Sequence, residues 1–477
     1  LKFAPVDRNY AETDNMRVPL VCLAASLGFV LAANSFVYRF HDEKAVCVML
    51  GICLFFILFI PMRAGFLEDN RHLAVSVGLA LVAVSVRLFM FSFKSGDYNS
   101  FLNHWVQFFR DNGGFKAIGE PIGDYNFPYL YFMALFSYLP INDLFLIKIL
   151  SVVFDIAAAF FAYKLVGLLT ENKRVQFGVY FAVLLLPTVV LNSGKWAQCD
   201  SIYAAFAFAA LYFGLKKRPV LTVLFAALSF SFKLQAIFVM PIVVIFLLRG
   251  NIKAKHLLLF PAFYVLTALP AVIAGRPVAD LVLIYTNQVG TYSSRLTLNA
   301  PTLFALWKAP EGVTQPYSFV GIFLALALMV SILTVAFLNK DKLNDRNTLM
   351  IALAMSVGIP FFLPSMHERY FYIPEILSII LVAGTAKHLL LPLVIQFSSW
   401  ICYDAYLTGV YRLELFFAAI LMALATLWAC YAVYREFYEK AAPVLVGGVP
   451  DEILEDKPDS PVENGANDVT GGNAGIN

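Results

Sequence analysis

Long apolar runs recur from residue 17 to residue 434 of this chain, separated by short clusters of basic residues, and no water-soluble core can absorb them all. Only 14% of the chain is charged, against about 25% in soluble domains, while 60% is hydrophobic and the mean hydropathy is +0.74. Phe (45 residues) and Tyr (23) are spread through many windows, so the apolar mass is not one oversized core. Helices are the expected elements, because an unpaired backbone group in lipid costs several kcal/mol and the runs lack the two-residue alternation of a barrel. The chain therefore reads as an all-α, polytopic transmembrane bundle. About fourteen spans are expected, near 17–38, 45–61, 72–93, 146–169, 175–191, 199–214, 219–232, 235–249, 256–274, 316–338, 348–363, 369–386, 389–401 and 413–434. An even number puts both termini on one side.

Charge in the short loops gives that side an identity. Lys2, Arg8, Arg17, Arg63, Arg71, Lys173, Arg174, Lys216–Arg218, Arg249, Lys253, Lys255, Lys340, Lys342, Arg346, Lys387, Arg435 and Lys440 all fall on one face, which should be cytoplasmic because basic loops resist export. The polar words Lys94–Asp143, Asn192–Asp200, Gly275–Gln315 and Pro364–Arg369 then fall together on the other face. Met16–Tyr38 has no small-residue cleavage site and is expected to stay as a span. Tyr125–Leu139 is short, aromatic and opens near a Pro, so an external helix in the membrane interface is expected there. Two regions follow: a transmembrane domain over 1–443, with a first large external loop at about 94–145, and a disordered acidic cytoplasmic tail over 444–477. A formal charge of +3 is too small to suggest nucleic acid by itself, and the six cysteines, mostly within apolar runs and without a CxxC, read as small buried fillers apart from Cys199, which abuts Asp200.

The external words carry the chemistry. Asp97, in KSGDYN, follows directly on an apolar helix and should sit at the depth of a lipid headgroup. It is a candidate proton acceptor, or else the N-cap of a helix beginning near Tyr98. Asp124, in GDYNFP, is a turn residue by type and a second external carboxylate by position, able to bind substrate or share Mg²⁺ or Mn²⁺ with Asp97. In NSGKWAQCDSIY, Lys195, Trp196, Gln198 and Asp200 stand where a helix re-enters the membrane, and Gln198 and Asp200 would be costly facing lipid. They line a cavity or cap a helix. In PSMHERYFYIP, His367, Glu368 and Arg369 fill the gap between two oily runs, where Arg suits a phosphate because its planar fork offers two donors to two oxygens. Arg276 and Arg295 lie on the same side.

There is no H-E-x-x-H, GxGxxG or GxxxxGK[ST], so zinc hydrolysis and nucleotide chemistry on a soluble fold lack a motif. A donor that resides in the membrane and carries a phosphate fits better. Glycosyl transfer from a polyprenyl-phosphate sugar needs a carboxylate beside the acceptor hydroxyl and cations beside the leaving phosphate. A lipid or sugar transporter or flippase, and a ligase using a polyprenyl pyrophosphate, are the alternatives.

From about residue 72 to residue 434 the chain resembles the GT-C integral-membrane glycosyltransferases. It is similar to the dolichyl- or polyprenyl-phosphate-dependent glucosyltransferases and to bacterial proteins of the GPI-mannosyltransferase type. The likeness rests on the order of four words. Gly96-Asp97-Tyr98 matches the family's loop word with its catalytic acid; Asp124, Tyr125 and Pro128 resemble a D-Y-P-P word, with Asn126 and Phe127 intervening. Trp196, Gln198, Asp200 and Tyr203 resemble W-x-Q-x-D-x-x-Y, and His367-Glu368-Arg369 stands for a late H-E-K, with Arg in place of Lys. The resemblance implies an inverting hexosyltransferase of a bacterial plasma (inner) membrane, its site facing the periplasm or outside. Asp97 and Asp124 would be catalytic, while Tyr125, Lys195, Trp196, Gln198, Asp200, Arg295, His367, Glu368 and Arg369 would bind substrate. Its partners would be the lipid-phosphate donor and a glycan, lipid or protein acceptor. Two spans precede the helix leading to Asp97, where a typical member has one.

Overall fold

The computed structural model describes residues 14–37, 44–64, 70–307 and 314–438. The acidic tail 444–477 and the cations Lys2, Arg8 and Lys440 lie outside the described residues. What is described is a helical bundle; its one sheet is a parallel pair of two-residue strands, Thr297–Leu298 with Met366–His367. Among the described residues seven helices are long and apolar enough to cross a membrane, Val18–Ser35, Ala45–Arg63, Arg71–Met90, Asp143–Val166, Ala254–Ile273, Gln315–Leu338 and Leu415–Tyr438. An eighth is gained if the bent pair Lys173–Leu185 and Pro187–Trp196 is one span. The remaining expected runs also contain helix: 348–363 and 389–401 correspond to the unbroken helices Asp345–Phe362 and Leu391–Thr408, while 235–249 divides into a 3₁₀ turn at Leu234–Phe238 and a helix at Ile242–Leu248.

The bundle is inside out relative to a soluble fold. Ile273 (78% exposed), Leu258 (75%), Phe319 (70%) and Phe323 (69%) point outward on the helices Leu259–Ile273 and Gln315–Leu338 or beside them. A shell of that kind is stable only against hydrocarbon, so the chain is a polytopic membrane protein. The helix Asp200–Leu215 occupies the centre, packing on Asp143–Val166 and Pro219–Phe232. Its run of Ala204, Ala205, Ala207, Ala209 and Ala210 allows the close backbone approach that membrane helices use in place of a hydrophobic drive.

Ionisable groups also lie deep inside this bundle, which the one-sided polar pattern of the sequence does not foretell. Arg87 and Asp155 pair at 2.7 Å, 1% and 0% exposed. Arg87 also donates to the carbonyls of Ala83 (3.0 Å) and Leu184 (2.9 Å), and Asp155 accepts from Ser193 (2.6 Å) and Tyr372 (3.3 Å). Leu184 stands at the 45° break before Pro187, where the missing N–H interrupts the helix ladder, so the buried guanidinium serves a carbonyl at the kink. Lys148, fully buried, donates to the carbonyls of Met90 (3.1 Å), Phe91 (2.8 Å) and Phe93 (2.8 Å), capping the C-terminal end of Asn70–Met90. Both networks fix where the chain leaves the third helix and enters the loop that carries Asp97.

The expected external helix exists at Phe127–Phe136. It does not present one face to an interface, however: Phe127, Tyr129, Leu130, Met133, Ala134 and Phe136 are buried against Asn103–Asp111, Pro219–Phe232 and Leu259–Ile273. The helix is apolar all round, and such a helix is covered by protein. Asn126 sets its start, accepting from the Phe127 N–H and donating to the hydroxyls of Tyr264 (3.2 Å) and Tyr285 (3.1 Å).

Candidate functional site

Two π-helical turns flank the site, Tyr98–Leu102 and Leu191–Trp196. Extra-wide turns of this kind redirect side chains and recur at functional positions. Ser95 ties them together, donating to the Trp196 carbonyl at 2.6 Å and accepting from the Tyr98 N–H at 3.2 Å. Asp97 sits at the cap position of the first turn but makes no capping bond, so Ser95 does the capping and the Asp97 carboxylate is left for other partners. The second turn ends at Ala197, whose φ of 68° is uncommon for a residue with a Cβ. That reversal turns Gln198 back toward Asp97.

The Asp97 carboxylate is the meeting point of four segments. Its Oδ2 accepts from Trp196 Nε1 at 3.0 Å and from Gln198 Nε2, and its Oδ1 accepts from the Tyr406 hydroxyl at 2.8 Å. Arg369 Nη1 lies 3.8 Å from Oδ2. Tyr406 stacks on Trp196 with ring centroids 4.4 Å apart, and the Arg369 guanidinium lies over the other components of this wall, 5.3 Å from Trp196 and 5.8 Å from Tyr370. At 20% side-chain exposure Asp97 remains reachable, whereas Arg369 (9%) and Asp200 (0%) form the floor.

Arg369 is surrounded by carboxylates. It donates to Glu368 Oε1 at 2.9 Å, and its Nε stands 3.8 Å from Asp200 Oδ2. Asp200 in turn accepts from Lys233 Nζ at 2.5 Å and from Asn192 Nδ2 at 2.8 Å. Burial pushes the Glu368 carboxyl up to about 7, the Arg369 charge opposing. Burial, with the Arg369 and Lys233 charges adding, pushes His367 down to about 2, so His367 is neutral at physiological pH. It offers a hydrogen bond to a ligand, and the positive charge of the His367–Arg369 word rests on Arg369. The ring of His367 lies between Tyr292 and Tyr370, at 5.1 and 5.2 Å, and its backbone pairs with Leu298.

The other expected site residues divide. Tyr125 donates to Gln198 Oε1 at 3.3 Å and belongs to the constellation. Asp124 stands exposed at the rim, within the electrostatic reach of Arg369, Asp97 and Lys233; its backbone carbonyl accepts from Gln288. Arg295 is exposed beside Tyr292, with its carbonyl accepting from Ser365 at 2.8 Å. Lys195 turns away, its ammonium 4.8 Å from the centre of the Phe93 ring. Arg276 is consumed by Asp280 (2.6 Å) and the Glu120 carbonyl, so it is not an available cation. Among the described residues no group of three or more His, Cys, Asp or Glu is arranged to hold a metal ion.

Sequence reading missed Lys233, Tyr403 and Tyr406. The run 389–401 ends too early: the helix extends over Leu391–Thr408, which carries both tyrosines, three apart and on one face, to Asn192 and Asp97. That spacing was the available signal. Compared with known proteins, the chain matches no family model and no curated protein.

Proposed function

We propose that this protein is an inverting glycosyltransferase of the GT-C type, moving a hexose from a polyprenyl-phosphate sugar to a lipid-linked glycan or other acceptor. The observation that carries the reading is the partly exposed Asp97 carboxylate, held by Trp196, Gln198 and Tyr406 above a floor that contains the Arg369 guanidinium, so that a base and an anion-binding fork serve one site. In the reaction the acceptor hydroxyl oxygen bonds to the sugar C1 while the C1–O bond to phosphate breaks. The hydroxyl proton passes to Asp97, and the electron pair leaves on the polyprenyl phosphate. Oδ2 of Asp97 is occupied by Trp196 and Gln198, so the lone pair on Oδ1 not taken by Tyr406 receives the proton. Arg369 faces the leaving phosphate, and Asp124 at the rim serves the acceptor or a divalent ion.

The same proposal includes fourteen crossings, cytoplasmic termini, and a site facing the periplasm or exterior of a bacterial plasma membrane. The buried Arg87–Asp155 pair is the feature that favours a transport reading. Its groups, however, are locked to Ala83, Leu184, Ser193 and Tyr372, an arrangement suited to holding a kink and not to relaying a cargo.

The test is incubation of the purified protein with a panel of polyprenyl-phosphate sugars in detergent, scoring hydrolysis as well as transfer, with and without chelator. Cleavage of one donor supports the proposal. Exchange of intact lipid between vesicle leaflets with no cleavage of any donor overturns it.

A further inference from the structure

Arg369 Nε–H is buried and has no hydrogen-bond partner, although a carboxylate oxygen, Asp200 Oδ2, lies only 3.8 Å away. A buried charged donor that stops short of an acceptor calls for a physical reason. Asp200 supplies it, because its charge is already compensated and its position held: Oδ1 pairs with Lys233 Nζ at 2.5 Å and Oδ2 accepts from Asn192 Nδ2 at 2.8 Å. Asn192 is itself held, its amide also donating to the Tyr403 hydroxyl at 3.2 Å. Lys233, 3% exposed, is seated between the Tyr125 and Tyr203 rings at 5.7 and 5.9 Å, so the ammonium stays on Asp200 without a second carboxylate. Its backbone is extended (φ −156°, ψ 133°) at the end of Pro219–Phe232, which turns the side chain out of the helix and into this floor.

We infer that Lys233 is a positioning residue for the donor phosphate: by neutralising Asp200 it keeps the Arg369 guanidinium from closing onto that carboxylate and leaves it beside Asp97, where an anion in the cleft can meet it. Without the ammonium, Asp200 carries an uncompensated charge in a buried place and draws Arg369 into a direct pair, pulling the guanidinium away from the ligand. Lys233 acts through Asp200 and Arg369 and does not touch the phosphate. This rests on the phosphate-donor reading above and goes beyond it, because it makes the second buried cation a keeper of the first.

The experiment measures binding of a labelled polyprenyl phosphate, with the matching polyprenol as control, to purified wild-type protein and to K233M, K233R and K233M/D200N. Wild type is expected to prefer the phosphate. K233M should lose about tenfold or more in phosphate affinity, the scale of one hydrogen bond to a charged group, with polyprenol binding unchanged. K233R should stay near wild type. The double variant leaves no unpaired charge and should recover phosphate binding; it also serves where K233M fails to fold. A double variant as weak as K233M, or a K233M that binds like wild type, overturns the inference and leaves the phosphate-donor reading standing. A wild-type protein that does not distinguish phosphate from alcohol removes the reading itself, and the inference with it.

Discussion

Tyr125 donates its hydroxyl to Gln198 Oε1 at 3.3 Å, and that bond decides which end of the Gln198 amide faces Asp97. With its oxygen claimed by Tyr125, Gln198 presents Nε2 to Asp97 Oδ2. Tyr125→Phe frees the amide to rotate and set oxygen against carboxylate. The expected result is a fall in kcat of about tenfold, roughly the worth of one charge-assisted hydrogen bond, with donor KM little changed. Steady-state kinetics with the active donor would measure both. A larger change in KM than in kcat would place Tyr125 in binding and not in orientation.

Asp97→Asn keeps the shape of the side chain and removes its ability to take a proton. Transfer should drop by roughly 10²–10⁴-fold, the usual range for a general base. Binding of polyprenyl phosphate should persist, because Arg369 keeps Glu368 at 2.9 Å as a partner. Single-turnover transfer and lipid-phosphate binding on the same preparation separate these effects. Full transfer activity would exclude Asp97 as the acceptor of the proton.

The words that made the site legible are polar residues in an otherwise apolar chain, and Asp97, Trp196, Gln198, Asp200 and Arg369 do converge. Lys233 was illegible for a physical reason. It lies between Phe232 and Leu234 in an apolar stretch, and its partner Asp200 is 33 residues away across a helix pair. Tyr406 is 309 residues from the carboxylate it serves. The Arg87–Asp155 pair was hidden because window-averaged hydropathy absorbs a single charge inside a long run, and only the kink at Pro187 explains its cost. Lys195 looked like a site residue because it lies in the right word, yet the π turn from Leu191 to Trp196 aims it at Phe93.

Glu368 and His367 are adjacent but titrate in opposite senses. Glu368 is raised from 4.5 to about 7, first by burial, so the folded state holds its proton more tightly than the unfolded chain. The stability it contributes is fully present below pH 4.5 and is lost as pH rises through about 7. His367 is lowered from 6.5 to about 2, first by burial, and its contribution is present above pH 6.5 and lost as pH falls toward 2. Between pH 4.5 and 6.5 the two oppose each other. Relative to wild type, E368Q should therefore gain apparent melting temperature as pH rises through this window, and H367N should lose it. The limiting slope is about 1.4 kcal/mol per pH unit for each proton. Thermal melts of the three proteins at half-unit pH steps check the signs, and parallel curves would contradict both assignments.

Arg369→Lys preserves charge and removes the fork. A lysine ammonium is a point charge and offers no planar pair of donors that could meet two phosphate oxygens while Glu368 is kept as a partner. Affinity for polyprenyl phosphate should fall by about tenfold. Arg369→Met should fall further and lower the melting temperature, because Asp97, Asp200 and Glu368 then crowd together without their shared cation. If Arg369→Lys binds the lipid phosphate like wild type, a simple cation suffices and bidentate recognition is not used.

The proposed sidedness places Asp97 and His367 in one external chamber and the basic loops opposite. Lys94 and Arg295 are exposed near the site, and Lys217 and Lys340 are exposed in the short basic loops. Among the native cysteines five are buried and Cys430 is half-buried, so the background for thiol labelling is low. Single cysteines at 94 and 295 should react with an impermeant maleimide added to intact cells, and those at 217 and 340 only after the membrane is permeabilised. Residues 217 and 340 lie in the short basic loops, which resist export, so the sign of the difference follows from the charge pattern. Labelling of 94 and 295 from opposite sides would separate the Asp97 loop from the loop that pairs with His367, and no single chamber would then hold both the base and the phosphate.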